Sequence, residues 1–470
     1  MAARWYLTSS RPTGSFPSDT SGNQPALLRP RVNQRNSERG DNYPDTGGKR
    51  AKACKDHRFQ DLYRLLDANL LLACWEDLNK RSASGIDGVT ATAYEQDLIA
   101  NILDLSERVK TKRYRTKLVR RCYIPKDNGG ERPLGIPALE DKLVQSGCAR
   151  ILNAIYEQEF LDGSYGYRAG RGAKDAVMDL GFNLQYGKFG HVVEADIKGF
   201  FDYLDHDWLL EMLSLRIDDR AFLNLIRNWL KAGILETDGQ VVHPVTGAPQ
   251  GGIVSPILAN VYLHYALDQW FERVVKPRCS GQAIIIRYAD DYVCAFQYRG
   301  EAQRFYRELS KRLEKFGLEL AADKTRLMRF SRFHPGLRRR FAFLGFELYW
   351  QRDRQGELRV MKRTARKTLR RAKQRIKEWI KTNRHLPGRQ FIKELNRKLE
   401  GHYNYFGLRS NETWLNRFYN WTIETAYKWL NRRGGKRRSF NWGQFKDALK
   451  RLGVVLPQVT EKRRVHMVFV

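Results

Sequence analysis

Residues 284–296 read IIIRYADDYVCAF, two adjacent aspartates between two runs of Ile, Tyr, Val and Phe. Such flanks suit a pleated, half-buried surface, so the stretch is expected to form a hairpin of buried strands with Asp290-Asp291 as its loop. Tight hairpin turns favour Asn-Gly or Asp-Gly, because their central residues need positive φ. Two carboxylates supply no glycine and repel each other. A segment that obeys every local rule but one marks its exception as a functional position.

Paired carboxylates at a hairpin tip suit two divalent cations, which acidic ligands must hold ~3.5–4 Å apart. One tip is short of ligands, so a carboxylate from a neighbouring strand must join. The segment GHVVEADIKGFFDYLDHDWLLEML, residues 190–213, offers one. Val192, Val193, Ala195 and Ile197 read as a buried strand, with Asp196 near its end, just before Gly199. Asp196 is the expected third ligand, and Glu194 is its rival on the same face by period-2 alternation. Asp205 reads as the N-cap of a following helix. Asp202 and Asp207 read as capping and salt-bridge residues. His206, with no second His or Cys at ligand spacing, reads as packing at the helix start.

The composition narrows the partners. The net charge is +32, from 84 Lys and Arg against 52 Asp and Glu. A compact fold with that excess repels itself unless a polyanion balances it, and nucleic acid leads over anionic lipid. No stretch approaches the ~20 apolar residues of a membrane span. The six cysteines form no C-x-x-C pair, so they read as reduced thiols rather than zinc ligands or disulfides.

At 470 residues the chain has room for two or three domains. Its first 50 residues are rich in Ser, Pro, Gly, Asn and Arg without periodicity, and a polar arm, disordered or ordered by a partner, is expected over 1–55. Residues 56–115 turn helical, interrupted by the loop SASGIDGVT. Next, KLVRRCYIPKDNGGERPLGIPALEDKLVQSGCARIL reads as strand, Gly-rich turn, strand and helix. Residues 176–300 alternate helices with short strands, as in an α+β sheet with helices on one side. Residues 351–440 hold 26 Lys and Arg against 7 Asp and Glu. Within them Met361, Ala365, Leu369, Ala372, Ile376 and Trp379 are spaced as one apolar helical stripe. The opposite face carries Lys362, Arg363, Arg366, Lys367 and Arg370, which read as binding an RNA phosphate backbone.

Asp196 in ADIKGFF, GAPQGGIVSPILANVYL and RYADDYVCAF resemble, in order and spacing, the palm motifs of reverse transcriptases. More narrowly, the chain is similar to the group II intron-encoded reverse transcriptase/maturase family. The likeness continues through GIDGVT, YIPKDNGGERPLGIPALEDKLVQ, GSYGYRAGRGAKDAV, LELAADKTRLMRF and FAFLGFELYW. It resumes in GHYNYFGLRSNETWLNRFYNWTIETAYKWLNRR, and the whole spans residues 56–458. It implies an α+β right-hand polymerase, with fingers and palm (an antiparallel sheet with helices) over 56–345. An all-α thumb/maturase domain over 346–458 and a tail over 459–470 would follow.

The implied activity is RNA-directed DNA polymerisation, with assistance to splicing of an intron RNA. The implied partners are structured intron RNA, an RNA template with a DNA primer, deoxynucleoside triphosphates and a DNA target, without a membrane. The cofactors would be two Mg²⁺ ions, for which Mn²⁺ can substitute. A polymerase reused in phage defence or DNA repair without an intron stays open as the alternative. The expected location is the bacterial cytoplasm, with an organelle as the lesser alternative. Many relatives carry a C-terminal His-Asn-His endonuclease; the C-terminal residues here show no such string, so no second-strand nicking is expected.

The resemblance also assigns roles to residues. Asp196, Asp290 and Asp291 would be catalytic and hold the metals, with Ile197 beside Asp196 in the metal site. Lys126 and Arg132 match positions that contact the incoming triphosphate. Phe201 matches a bulky side chain that packs under the sugar and excludes a 2′-hydroxyl. Gln250, Gly251 and Gly252 match a loop that approaches template and nucleotide, and Lys324 matches a lysine near the pyrophosphate. Arg168 and Arg171 are candidates for template phosphates.

Overall fold

A computed structural model describes residues 48, 51–53, 56–125, 129–432 and 439–461. Helices α1 (Ala68–Asp77), α2 (Ala91–Glu95) and α3 (Leu98–Lys110) lead into strands β1 (Val119–Pro125) and β2 (Glu131–Ile136). Helices α4 (Leu139–Tyr156) and α5 (Ala173–Tyr186) precede β3 (His191–Ala195) and the short β4 (Ile197–Lys198). Then come α6 (His206–Ser214), α7 (Arg220–Leu230), β5 (Ile234–Leu235), β6 (Val241–Val242) and α8 (Ser255–Leu263). The hairpin β7 (Ala283–Tyr288) and β8 (Asp291–Phe296) follows, then α9 (Arg299–Glu314), β9 (Glu319–Leu320) and β10 (Arg326–Arg329). Strands β11 (Arg340–Phe343), β12 (Phe346–Arg352) and β13 (Leu358–Thr364) precede the helices α10 (Arg366–Asn383), α11 (Gly388–Phe406), α12 (Glu412–Leu430) and α13 (Trp442–Arg451).

The expected mixture of α and β elements is present. Its centre is an antiparallel sheet in the order β10-β3-β8-β7. Alternation along its strands sends Val193, Ala195, Ile285, Tyr292, Cys294 and Phe296 into one core, shared with α4 and α6 to α9. The intervening Val192, Ile286, Val293 and Ala295 enter a second core, built from α5, β11 to β13 and the C-terminal helices. The sheet is therefore covered on both faces, not on one as the sequence reading had it. That explains why β7 and β8 are almost continuously apolar.

Helix α4 runs through the first core and is buried along most of its length. Each polar residue on its buried side pins a different loop. Asp141 accepts hydrogen bonds from the Tyr114 hydroxyl and the Lys117 amide. Lys142 donates to the Ala83 carbonyl at 2.6 Å, and Gln145 accepts from the Ile253 amide at 2.9 Å. These bonds satisfy groups that would otherwise be costly to bury.

The expected hairpin of β1 and β2, followed by α4, is observed. So is the Asp205 cap, whose carboxylate accepts from the Trp208 amide. The stripe running from Met361 is corrected. Residues 358–364 form β13, paired residue by residue with β12, and helix starts only at Arg366. Leu369, Ile376 and Ile380 do bury one face of α10. The region from 346 is thus not all helical; the β11-β12-β13 sheet straddles that expected boundary, and helices follow from 366. Most of the expected arm over 1–55 lies outside the described residues, but Ala51 is buried in the first core. Among the described residues no helix is long and apolar enough to cross a membrane.

A test of the two-sided core is Phe296→Ala at the fully buried end of β8. We expect a loss of about 3–5 kcal/mol in chemical denaturation. A loss below about 1 kcal/mol would contradict this packing.

Candidate active site

The hairpin departs from its expected loop by one residue. Tyr288 pairs with Asp291, so the two-residue turn is Ala289-Asp290 and Asp291 already belongs to β8. Ala289 takes a left-handed φ of 56°, a position that glycine usually fills and that costs an L-residue ~1–2 kcal/mol. On the neighbouring strand, Ala195 pairs with Tyr292. Continuing that antiparallel register one step places Asp196 opposite Asp291. Sheet pairing thus brings Asp196, Asp290 and Asp291 to one end of the central sheet.

The carboxylates sense one another. Asp290 is raised above the usual aspartate range, first by burial and then by the Asp196 charge, against the cations of Arg132 and Arg287. Asp291 is pushed up to about 6 by desolvation, then by Asp290 and Asp196. Asp291 is an exposed residue, so the two like charges outweigh desolvation there. Lys324 reaches the same point from the turn after β9, its Nζ 2.5 Å from Asp196 Oδ2. Glu194, the rival ligand, is held by Arg326 of β10 at 2.8 Å. Ile197 offers only its backbone carbonyl, because its hydrocarbon side chain is buried.

The loop before α8 is held against β2 and α4. The Gly135 amide of β2 donates to the Gln250 carbonyl at 2.6 Å. Gly251 has φ 115°, and a Cβ there would lie 2.5 Å from the Gly135 carbonyl oxygen, so glycine is required twice over. Gln145 ties the same loop to α4 through Ile253. Phe201 is half-buried against Phe200, and its carbonyl accepts from the Ala248 amide at 2.8 Å. Arg132 is exposed on β2. Lys126 lies outside the described residues.

Several proposed RNA contacts need correcting. Arg168 is buried, and its guanidinium is taken up by Glu157 and the carbonyls of Leu161 and Ser164. It is a structural cation with no face left for a phosphate. Arg363 is buried as well, bonded to Glu347 at 2.7 Å and lying over the rings of Tyr349 and Trp414. Lys362 packs its stem along Gly181 of α5, and burial lowers its pKa. Arg171 keeps partial exposure while bonding Asp162. Arg366, Lys367 and Arg370 are exposed on α10.

Two residues escaped the sequence reading. Tyr167 has a left-handed φ of 57°, and partial burial of its ring followed by the charge of Asp290 raises its phenol pKa. Tyr405 of α11 donates its hydroxyl to the Leu344 carbonyl at 3.2 Å, and its pKa is raised by burial, then by the charges of Tyr288 and Asp291. The positive φ of Tyr167 left no trace in its residue type. Tyr405 sat among many aromatics of the C-terminal helices, and composition singles out none of them.

Comparison with known proteins gives two family matches. Residues 124–348 match the reverse transcriptase (RNA-dependent DNA polymerase) family. Residues 369–447 match the group II intron maturase-specific domain. Protein YkfC of Escherichia coli is 31% identical over 309 residues, covering 59% of this chain and 78% of YkfC. The group II intron-encoded protein LtrA of Lactococcus lactis is 38% identical over 214 residues, covering 44% of this chain but 35% of LtrA. An uncharacterised 91 kDa protein in the cob intron of Schizosaccharomyces pombe is 36% identical over 217 residues, covering 46% of this chain and 26% of that protein. The chain thus spans most of YkfC and about a third or less of the other two.

The crowded carboxylates make a pH prediction. The folded-state pKa of Asp291 lies above its ordinary value, so the folded state binds the extra proton and stability falls as pH rises through roughly 4 to 6. Asp291→Asn removes that repulsion. Melting in a chelator should show the variant more stable than the parent at pH 7, with the gap closing by about pH 4. A gap that persists at low pH would assign the effect to something other than charge.

Proposed function

The chain belongs to the family of RNA-directed DNA polymerases that join a reverse transcriptase domain to a group II intron maturase-specific domain, and from that premise we propose that it copies RNA into DNA at Asp196, Asp290 and Asp291 while binding a structured intron RNA. The observation that carries the reading is the position of three carboxylates at one end of the central sheet: Asp196 just past the end of β3, Asp290 in the turn between β7 and β8, and Asp291 at the start of β8. In this reading β1, β2 and the helices around them are the fingers, the central sheet is the palm, and α10 to α13 are the thumb. Two of the relatives are named for introns, which supports an intron RNA as the partner.

The donor set suits a hard divalent cation: carboxylates and the Ile197 carbonyl, without thiolate or imidazole. Among the described residues no three His, Cys, Asp or Glu side chains already converge on one point. Loading the site would therefore require Asp196 to release Lys324 and the carboxylates to turn toward a common centre. Two bound Mg²⁺ ions would supply acidity to the primer 3′-hydroxyl and neutralise charge on the departing pyrophosphate.

The chain's own residues do the rest. Arg132, with Lys126 before it, grips the triphosphate by charge-assisted hydrogen bonds. Phe201 lies under the sugar and leaves no room for a 2′-hydroxyl. The close approach of Gly251 to β2 fixes the loop of Gln250 against template and nucleotide. Once freed from Asp196, the Lys324 ammonium can hand a proton from Nζ to the pyrophosphate oxygen. Arg366, Lys367 and Arg370 hold RNA phosphates.

The purified protein should extend a DNA primer on an RNA template with Mg²⁺ and deoxynucleotides. Asp290→Asn should lower extension by about a thousandfold or more, while RNA affinity measured by filter binding stays within about twofold. An inactive parent across several primer–template designs would sink the polymerase reading. Sequencing RNA that co-purifies from the native host tests the intron partner: one structured intron supports it, and an unselective pool moves the enzyme toward defence or repair.

Phe201→Ala opens the space under the sugar. Incorporation of ribonucleotides relative to deoxynucleotides should rise by about tenfold or more, the size of effect that a lost steric contact produces. Unchanged sugar discrimination would remove Phe201 from this role.

A further inference from the structure

The turn that carries Asp290 is clamped from inside the protein by Arg287. This residue, the last but one of β7, has no exposed surface, and each of its side-chain N–H groups has an acceptor. Nε and Nη2 grip the two carboxylate oxygens of Asp268 at 2.8 and 2.6 Å. Nη1 donates to Asn260 Oδ1 and to the carbonyl of Ala289, both at 3.0 Å. Nη2 also reaches the Ser164 hydroxyl at 2.8 Å. Asn260 in turn donates to the Gly166 carbonyl at 2.6 Å. Gly166 itself lies so close to the turn that a Cβ there would fall 2.3 Å from the Ala289 amide nitrogen. Asp268 ends a π-helical stretch, His264–Asp268, that continues α8; such stretches break the helical register of side chains.

A buried ion pair is weak evidence for stability, because desolvation offsets its Coulomb energy. What this one does hold is a conformation. Ala289 occupies a left-handed backbone well without being glycine, and such strain persists only where the surroundings over-determine it. The Arg287 bond to the Ala289 carbonyl is that determinant. We propose that Arg287, buttressed by Asp268, Asn260 and Ser164, is a positioning residue that fixes the Ala289-Asp290 turn and so aims the Asp290 carboxylate at the metal site. The inference rests on the polymerase reading above for its chemistry, but its geometry is independent of it.

Two variants and one second-site change test it. Arg287→Lys keeps the charge but cannot span Asp268, Asn260 and the Ala289 carbonyl together. Asn260→Ala leaves the ion pair intact and loosens the clamp from the side of Gly166, so it serves if the first variant does not fold. Both should lower kcat, by about tenfold for Arg287→Lys and about threefold for Asn260→Ala, with nucleotide KM and primer–template affinity within about twofold. Mn²⁺ affinity, read by electron paramagnetic resonance on the folded protein without substrate, should weaken in parallel. Adding Ala289→Gly to either variant should return part of the lost kcat, since glycine enters the left-handed well without a clamp.

A merely structural role predicts losses that follow the unfolded fraction and no rescue by glycine, and that result would overturn the proposal. Unchanged kcat and Mn²⁺ affinity in a folded Asn260→Ala protein would overturn it as well. Failure of the parent to extend primers would count against the polymerase reading instead, and the Mn²⁺ measurement would still decide the role of the clamp.

Discussion

Like charge gathered at the end of a sheet buried on both faces is the constraint from which the rest of this structure follows. The pairing of β3 with β8 sets the register that brings Asp196 beside Asp291. It also sends alternate side chains into two separate cores. A slip of one residue would exchange the faces and separate the carboxylates together. The repulsion is balanced from outside the group, by Lys324 on Asp196, Arg326 on Glu194 and Arg132 near Asp290. Those are long side chains from other elements, so the counter-charges can move while the carboxylates keep their place on the sheet.

Precision at the surface of the site comes from polar groups buried beneath it. Helix α4 lies in the first core, yet Asp141, Lys142 and Gln145 each hold a loop that the apolar residues cannot. Gln145 and the close contact of Gly251 with Gly135 fix the loop of Gln250 from two sides. Arg287 does the same for the hairpin turn. Hydrophobic burial sets which elements meet, and these few directional bonds set where the loop atoms stop.

The sequence made legible whatever local pattern dictates. Alternation in the strands, the hairpin, the Asp205 cap and the three carboxylates could all be read before any coordinates. What could not be read depends on partners distant in the chain. Sequence pattern puts the turn one residue late, because nothing about Ala289 announces a left-handed φ. Its clamp draws on Asp268, Asn260 and Ser164, residues far from it in sequence. Arg168 and Arg363 look like surface cations in a basic chain, and only the fold gives them Glu157 and Glu347. The stripe from Met361 matches a helical period that the structure keeps only from Arg366 onward; its first residues pair with β12 as strand, a case of tertiary context overriding local pattern.

The same ambiguity governs the positive charge of the C-terminal region. Helix α10 packs on α12, and cations of α10 and of its C-cap lie over tryptophan rings: Lys373 over Trp421, Lys381 and the C-cap Arg384 over Trp429. Arg363 and Arg417 flank Trp414 in the same way. Each such contact contributes ~0.5–1 kcal/mol at an exposed site and more when desolvated. These cations therefore hold helices together as well as carrying charge. Arg366, Lys367 and Arg370 face outward at the start of α10 and are not among the cations seen over these tryptophan rings. A count of Lys and Arg therefore overstates the surface offered to phosphate. The number of counterions released on binding RNA, which sets its salt dependence, should follow the outward-facing residues rather than the total.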